Sequence, residues 1–153
     1  MKNLIFIIYL IVLHFPSISQ ISGTVTYVSD GDTFHLITES GNKIKVRVAD
    51  IDCPESTQEY GLEAKQFTNQ AIKGKQVALT IKQTDRYGRK VAFVTYDGKD
   101  LSQQLLKHGL AWHYKRYSIL AKYAQMEDSA RYNKIGLWQS KNPMAPWDYR
   151  KNN

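Results

Sequence analysis

Asp30-Gly31-Asp32-Thr33, read together with Arg47, Asp52 and Glu55 further on, is the part of this chain best equipped for chemistry. These residues stand at strand-like spacings around two turn signals, Asp30-Gly31 and Cys53-Pro54. Carboxylates at strand ends suit a hard cation such as calcium, which takes oxygen ligands. A neighbouring arginine suits a phosphate, because its planar fork donates two hydrogen bonds to one anion. A cation, a phosphate and a spare carboxylate together point to phosphodiester hydrolysis.

Taken singly, each residue has a plainer role. Asp30 and Asp32 suit a turn and a strand end, and an arginine on a strand suits an ion pair with the next strand. Arg89 lies in a charge-rich loop, and such loops are commonly just solvated. Only the joint pattern favours chemistry. His35, His108 and His113 lack metal-ligand spacing, and Cys53 has no histidine partner for nucleophilic catalysis. Trp112, Trp138 and Trp147 read as core or strap residues. Lys115-Arg116 and the tyrosines nearby suit a groove for single-stranded nucleic acid, where a base stacks on a ring.

Three strands must carry the first residues. Val25 and Tyr27, then Phe34 and Leu36, then Ile44, Val46 and Val48 alternate with polar residues, and Asp30-Gly31 and Gly41-Asn42 divide the run into a meander. From Tyr60 to Ile72 the period lengthens: Ala64, Phe67 and Ala71 mark a helix that Gly74 stops. Val77 to Ile81 and Val91 to Val94 read as two more strands around a charged loop. Leu101, Leu105 and Leu106 mark a second helix ending at Gly109. Ile119, Tyr123, Met126 and Ala130 mark a third, ending near Gly136. The tail from Pro143, with Pro146-Trp147, reads as a strap over the surface. Five short strands with a helix between the third and fourth predict a β-rich α+β fold, an OB-type five-stranded barrel with about three helices. A generic α+β sheet is the competing pattern.

Lys2 followed by the uncharged apolar run Leu4 to Leu13 and the small residues Ser17 and Ser19 predicts a signal peptide over 1–19, cleaved before Gln20. The run is too short to span a bilayer as a helix. The expected product is a secreted or periplasmic domain over 20–153 without stable membrane association. Cys53 is the only cysteine, so no intramolecular disulfide can form. The formal charge of +7 favours polyanions such as nucleic acid, but also anionic membranes and cell walls.

The motifs in order are Asp30-Gly31-Asp32-Thr33, Val46-Arg47-Val48, Asp50-Ile51-Asp52-Cys53-Pro54-Glu55 and Tyr60-Gly61-Leu62-Glu63-Ala64. Thr84-Asp85-Arg86-Tyr87-Gly88-Arg89, Gly109-Leu110-Ala111 and Gly136-Leu137-Trp138 follow. Together they resemble the thermonuclease family of secreted, micrococcal-type nucleases, from about Ile21 to Trp138. The resemblance implies an OB barrel and calcium-dependent hydrolysis of DNA and RNA, inside chains and from ends, leaving 3′-phosphates. It implies calcium ligands at Asp32 and Asp52 and at the main-chain carbonyl of Cys53, where the family commonly has threonine. Asp30 matches a carboxylate that holds the ion through water. Arg47 and Arg89 match the phosphate-binding arginines, Glu55 the general-base or water-positioning glutamate, and Tyr87 a tyrosine that contacts the nucleotide. Tyr114 is the second such tyrosine, in a stretch whose length departs from the family's. Glu63 reads as a structural helix residue. DNA and RNA are the implied partners, and no protein partner is predicted. The alternative is a non-catalytic OB module that binds nucleic acid.

Overall fold

The computed structural model describes residues 20–152; the expected signal peptide over 1–19 lies outside them. Strands β1 (Gln20–Asp30), β2 (Thr33–Thr38) and β3 (Lys43–Val48) form the meander. A two-residue strand β4 (Ile51–Asp52) follows, then helix α1 (Gly61–Ile72). Next come β5 (Gln76–Thr84), β6 (Lys90–Tyr96) and the short β7 (Lys99–Asp100), leading into α2 (Leu101–Lys107). The short β8 (Trp112–His113), α3 (Ala121–Tyr132), a 3-10 turn (Gly136–Gln139) and α4 (Pro146–Asn152) complete the chain.

The sheet runs β3-β2-β1-β5-β6-β7, antiparallel throughout, and a parallel pairing of β3 with β6 closes its first five strands into a barrel. This is the expected OB barrel. Closure needs strong twist, and register shifts in β1 and β5 supply it. One shift corrects the sequence pattern: between Val25 and Tyr27 the register slips, so Val28 turns inward and Tyr27 faces solvent. Val25, Phe34, Leu36, Val46, Val48, Leu79 and Val94 fill the interior, and α1 and α2 add Ala64, Ile72, Leu101, Leu105 and Leu106.

Two helical readings also change. Ile119 precedes α3 and is 97% exposed; the buried residues of α3 are Tyr123, Glu127 and Ala130. Glu127 is tolerated inside because Lys115, Arg131 and the main-chain N–H of His113 surround its carboxylate. The tail is not simply a strap: it ends in a fourth helix, α4, whose first residue is Pro146.

Gly109 and Gly136 show why two of the motifs carry glycine. Both have positive φ, and the loops cross so closely that a Cβ on Gly109 would meet the Ile135 carbonyl oxygen at 2.1 Å and one on Gly136 the Gly109 oxygen at 2.3 Å.

Candidate active site

Barrel closure brings distant segments to one rim. After β3, Asp50 adopts a left-handed conformation, φ 66°, and turns the chain so that β4 doubles back beside Arg47. Strand β4 is held by pairing with β8, Asp52 opposite Trp112, and Tyr114 N–H donates to the Asp50 carbonyl. On the other side, the β1–β2 turn is pinned to α1 by Thr68, whose hydroxyl donates to the Gly31 carbonyl at 2.6 Å. Together they form a cleft of about 1130 Å³. All eight predicted residues line it: Asp32, Arg47, Asp52, Cys53, Glu55, Tyr87, Arg89 and Tyr114, with Asp30 beside them.

Its floor is an ion cluster. Asp52 is 1% exposed and Asp32 is 5% exposed. Arg47 lies between them, with Nη2 2.6 Å from Asp52 Oδ1 and Nη1 3.1 Å from Asp32 Oδ2. The same Nη1 donates to the carbonyls of Val48 and Ile51 at 2.8 and 3.0 Å, so this guanidinium is fixed by backbone as well as by charge. Asp32 Oδ2 accepts the Cys53 N–H at 2.7 Å, and Asp32 N–H lies 3.3 Å from Asp30 Oδ1. Burial pushes the Asp32 carboxyl up to about 6 against the opposing pull of Arg47, with Asp30 adding to the rise. Burial likewise raises Asp52, opposed by Arg47 and reinforced by Asp32. Burial therefore disfavours the charged form of both carboxyls even with Arg47 between them.

The Cys53 thiol plays no visible part in this cluster. It packs against Gly31, where a Cβ would lie 2.9 Å from the sulfur, and burial with Asp32 nearby raises its pKa well above the ordinary thiol range. A thiol held protonated is a poor nucleophile.

Arg89 is placed differently. The Asp85–Gly88 turn closes with Gly88 at φ 78°, and Asp85 Oδ1 accepts the N–H groups of Tyr87 and Arg89. Its other oxygen accepts Arg89 Nε at 2.7 Å. Burial alone would raise the Asp85 carboxyl, but these bonds hold it below the usual carboxylate range. Tyr87 projects from the turn, 68% exposed. Tyr114 stacks on Trp147 of α4, centroids 5.1 Å apart and planes 6° from parallel.

Three residues carry no sequence signal of their role here: Lys82 and Arg150, which line the cleft, and Thr68, which is buried behind it. Lys82 pairs with Asp50 at the rim. Thr68, already noted, anchors the turn. The third is Arg150 on α4, which donates to Asp52 Oδ2 at 2.8 Å and to Glu55 Oε1 at 2.6 Å. Nothing in the local spacing of the tail signals this contact.

The sequence that builds this site has relatives. A family model described as staphylococcal nuclease homologue matches residues 45–140. A Haemophilus influenzae protein named "Uncharacterized endonuclease" is 39% identical over 127 residues, 83% of this chain and 71% of its own. An Escherichia coli O157:H7 protein of the same name is 35% identical over 133 residues, 86% of each chain. Staphylococcal-like nuclease CAN1 of Arabidopsis thaliana is 42% identical over 110 residues, 72% of this chain but only 34% of the plant protein. The chain thus spans about a third of the plant relative and most of each bacterial one. The family-model match covers residues 45–48 of β3, β4, the Asp85–Gly88 turn and the Gly109–Gly136 crossing. The chain belongs to the staphylococcal nuclease homologue family.

Proposed function

We propose that this protein is a calcium-dependent nuclease that hydrolyses phosphodiester bonds of DNA and RNA, within chains and from their ends, leaving 3′-phosphates. The observation that carries the reading is the convergence of buried Asp32 and Asp52, Arg47, Glu55 and Arg89 on one cleft from separate segments of the chain. The product and the cation come from the family resemblance.

The donor set suits calcium. Asp32 and Asp52 are two buried carboxylates on one cleft, and oxygen donors of that kind suit a hard dication. Two carboxylates completed by a main-chain oxygen is the ligand set the family resemblance implies. Asp32, Asp52 and the Cys53 carbonyl would hold the ion. Bound there, calcium supplies Lewis-acid polarisation of a phosphate oxygen.

The protein groups do the rest. Arg47, fixed by two carbonyls, offers rigid positive charge where the phosphate gains negative charge in the transition state. Arg89, on its turn, closes on the same phosphate from the other wall. Glu55 takes the proton of the attacking water, or orients that water. Tyr87, exposed at the rim, offers a ring face to bases, which favours single strands, and Tyr114 lines the same cleft with one face taken by Trp147. Export through residues 1–19 would deliver the enzyme to the periplasm or the medium; among the described residues no helix is long and apolar enough to cross a membrane.

Digestion of heat-denatured DNA, duplex DNA and RNA by the mature protein, with calcium or with excess chelator, tests the reading. Calcium-dependent release of acid-soluble nucleotides, fastest on single strands, is expected. Nucleic-acid binding without cleavage would favour the non-catalytic OB module instead.

A further inference from the structure

Both carboxylate oxygens of Asp52 are taken by arginines. Oδ1 accepts from Arg47 at 2.6 Å and, longer, from Arg150 Nη1 at 3.4 Å; Oδ2 accepts from Arg150 Nη2 at 2.8 Å, and the same Nη1 also reaches Glu55. One guanidinium thus bridges a carboxylate assigned to calcium and the carboxylate assigned to water. The two arginines are unequal competitors for Asp52. Arg47 stands on a barrel strand with its side chain 13% exposed and its fork tied to backbone carbonyls. Arg150 stands on a terminal helix of seven residues with its side chain 44% exposed. A cation drawn to Asp52 therefore competes with Arg150 rather than with Arg47.

Helix α4 is docked so that the arginine stays over the cleft. Trp147 stacks on Tyr114, the hydroxyls of Tyr149 and Thr57 are 3.0 Å apart, and Gln58 Nε2 donates to the Met144 carbonyl at 2.6 Å. Thr57 and Gln58 follow closely on Glu55, so the helix grips the loop that carries that carboxylate. None of these docking contacts is made by the arginine side chain itself.

We propose that Arg150 is an additional positioning residue of the nuclease site, a latch that gives up Asp52 to the cation while keeping Glu55 in place. This rests on the assignment of calcium to Asp32 and Asp52. The latch has two opposite consequences. Its hold on Asp52 weakens calcium binding, because ion and guanidinium want the same oxygen. Its hold on Glu55 aids turnover, because a charge-assisted bond fixes the carboxylate that handles water. A residue that merely held the tail would produce neither effect in that combination.

The test is calorimetric titration of calcium into the wild type, Arg150→Gln, Arg150→Lys and Asp52→Ala, with kcat and KM on a single-stranded oligonucleotide at saturating calcium. Circular dichroism of each protein confirms that it is folded. Arg150→Gln should bind calcium about tenfold more tightly, the scale of one charge-assisted contact. Arg150→Lys should also bind more tightly, since lysine keeps the charge but cannot bridge two carboxylates. Both should lose kcat with little change in KM. Equal calcium affinity in the wild type and Arg150→Gln, with binding abolished in Asp52→Ala, overturns the latch and leaves the calcium site standing. Tightening in the glutamine variant alone shows a long-range charge effect and also overturns it. An unchanged kcat removes the Glu55 role. No calcium binding in any of the four proteins overturns the calcium assignment and the latch together.

Discussion

The main-chain N–H of Cys53 donates to Asp32 Oδ2 at 2.7 Å, joining the β1–β2 turn to the end of β4. The bond uses only backbone on the cysteine side, and the sulfur is left to pack against Gly31. The site therefore depends on where residue 53 puts its backbone, and the thiol is core filling.

Cys53→Thr should accordingly keep calcium affinity near that of the wild type. Gly31→Ala should destabilise the fold, because its Cβ would meet Ala64 and Cys53 at 2.8 Å. Overpacking of that kind costs about 1–3 kcal/mol, which urea denaturation would read directly. Loss of turnover in Cys53→Thr with unchanged metal binding would reveal a role for the thiol itself.

Asp32→Asn keeps the shape of the side chain and an acceptor for the Cys53 N–H but removes a charge and weakens an oxygen ligand. Calcium affinity should fall by an order of magnitude or more, on the order of 1.4 kcal/mol, while the fold persists. Calorimetry beside circular dichroism distinguishes this from unfolding. Undiminished calcium binding would move the ion elsewhere.

Arg47→Lys keeps charge but loses the fork that spans Asp52 and two carbonyls. Turnover should drop by roughly a hundredfold, as for other fixed donors to a developing anion. Arg89→Lys should lose turnover and also raise KM, because the Asp85 contacts that shape its turn engage Nε. Steady-state kinetics at saturating calcium separates the two patterns, and wild-type turnover in Arg47→Lys would end the phosphate-clamp assignment.

Glu55→Gln is close in shape and cannot accept a proton at neutral pH. It should lower kcat while calcium and a non-hydrolysable nucleotide still bind. Wild-type turnover in this variant would assign the water to another group.

His113 supplies a pH dependence away from the cleft. Its ring is buried, with Nε2 2.9 Å from the Ser118 hydroxyl, and burial holds its pKa below the ordinary 6.5, with Glu127 opposing and Lys115 adding to the shift. The unfolded chain binds this proton more readily than the folded one. The contribution of His113 to stability is therefore present above pH 6.5 and is lost as pH falls from there through the folded value. Chemical denaturation of the wild type and His113→Gln between neutrality and about pH 5 should show a shallower decline in the variant. Parallel declines would mean that His113 titrates alike in both states.

Local order in the chain determined most of the barrel. Alternation in Phe34-Leu36 and Ile44-Val46-Val48, the Asp-Gly and Gly-Asn turns and the run to Gly74 predict strands and a helix, because each depends on neighbours a few residues away. The glycines of the Gly109 and Gly136 motifs are legible as motifs, but the crossing that demands them is not. Tyr27 turns outward because a bulge, set by barrel closure, breaks a period of two that the sequence keeps. Ile119 is exposed and Glu127 buried because α3 starts later than its apolar spacing suggests and carries its own ion cluster. The gathering of Asp32, Arg47, Asp52, Glu55 and Arg89 on one rim needed the parallel pairing of β3 with β6, a contact between segments far apart in sequence. Arg150 shows the limit most clearly. A basic residue near a chain end looks like any solvated charge, and only the docking of α4 on Tyr114, Thr57 and Gln58 carries it to Asp52 and Glu55.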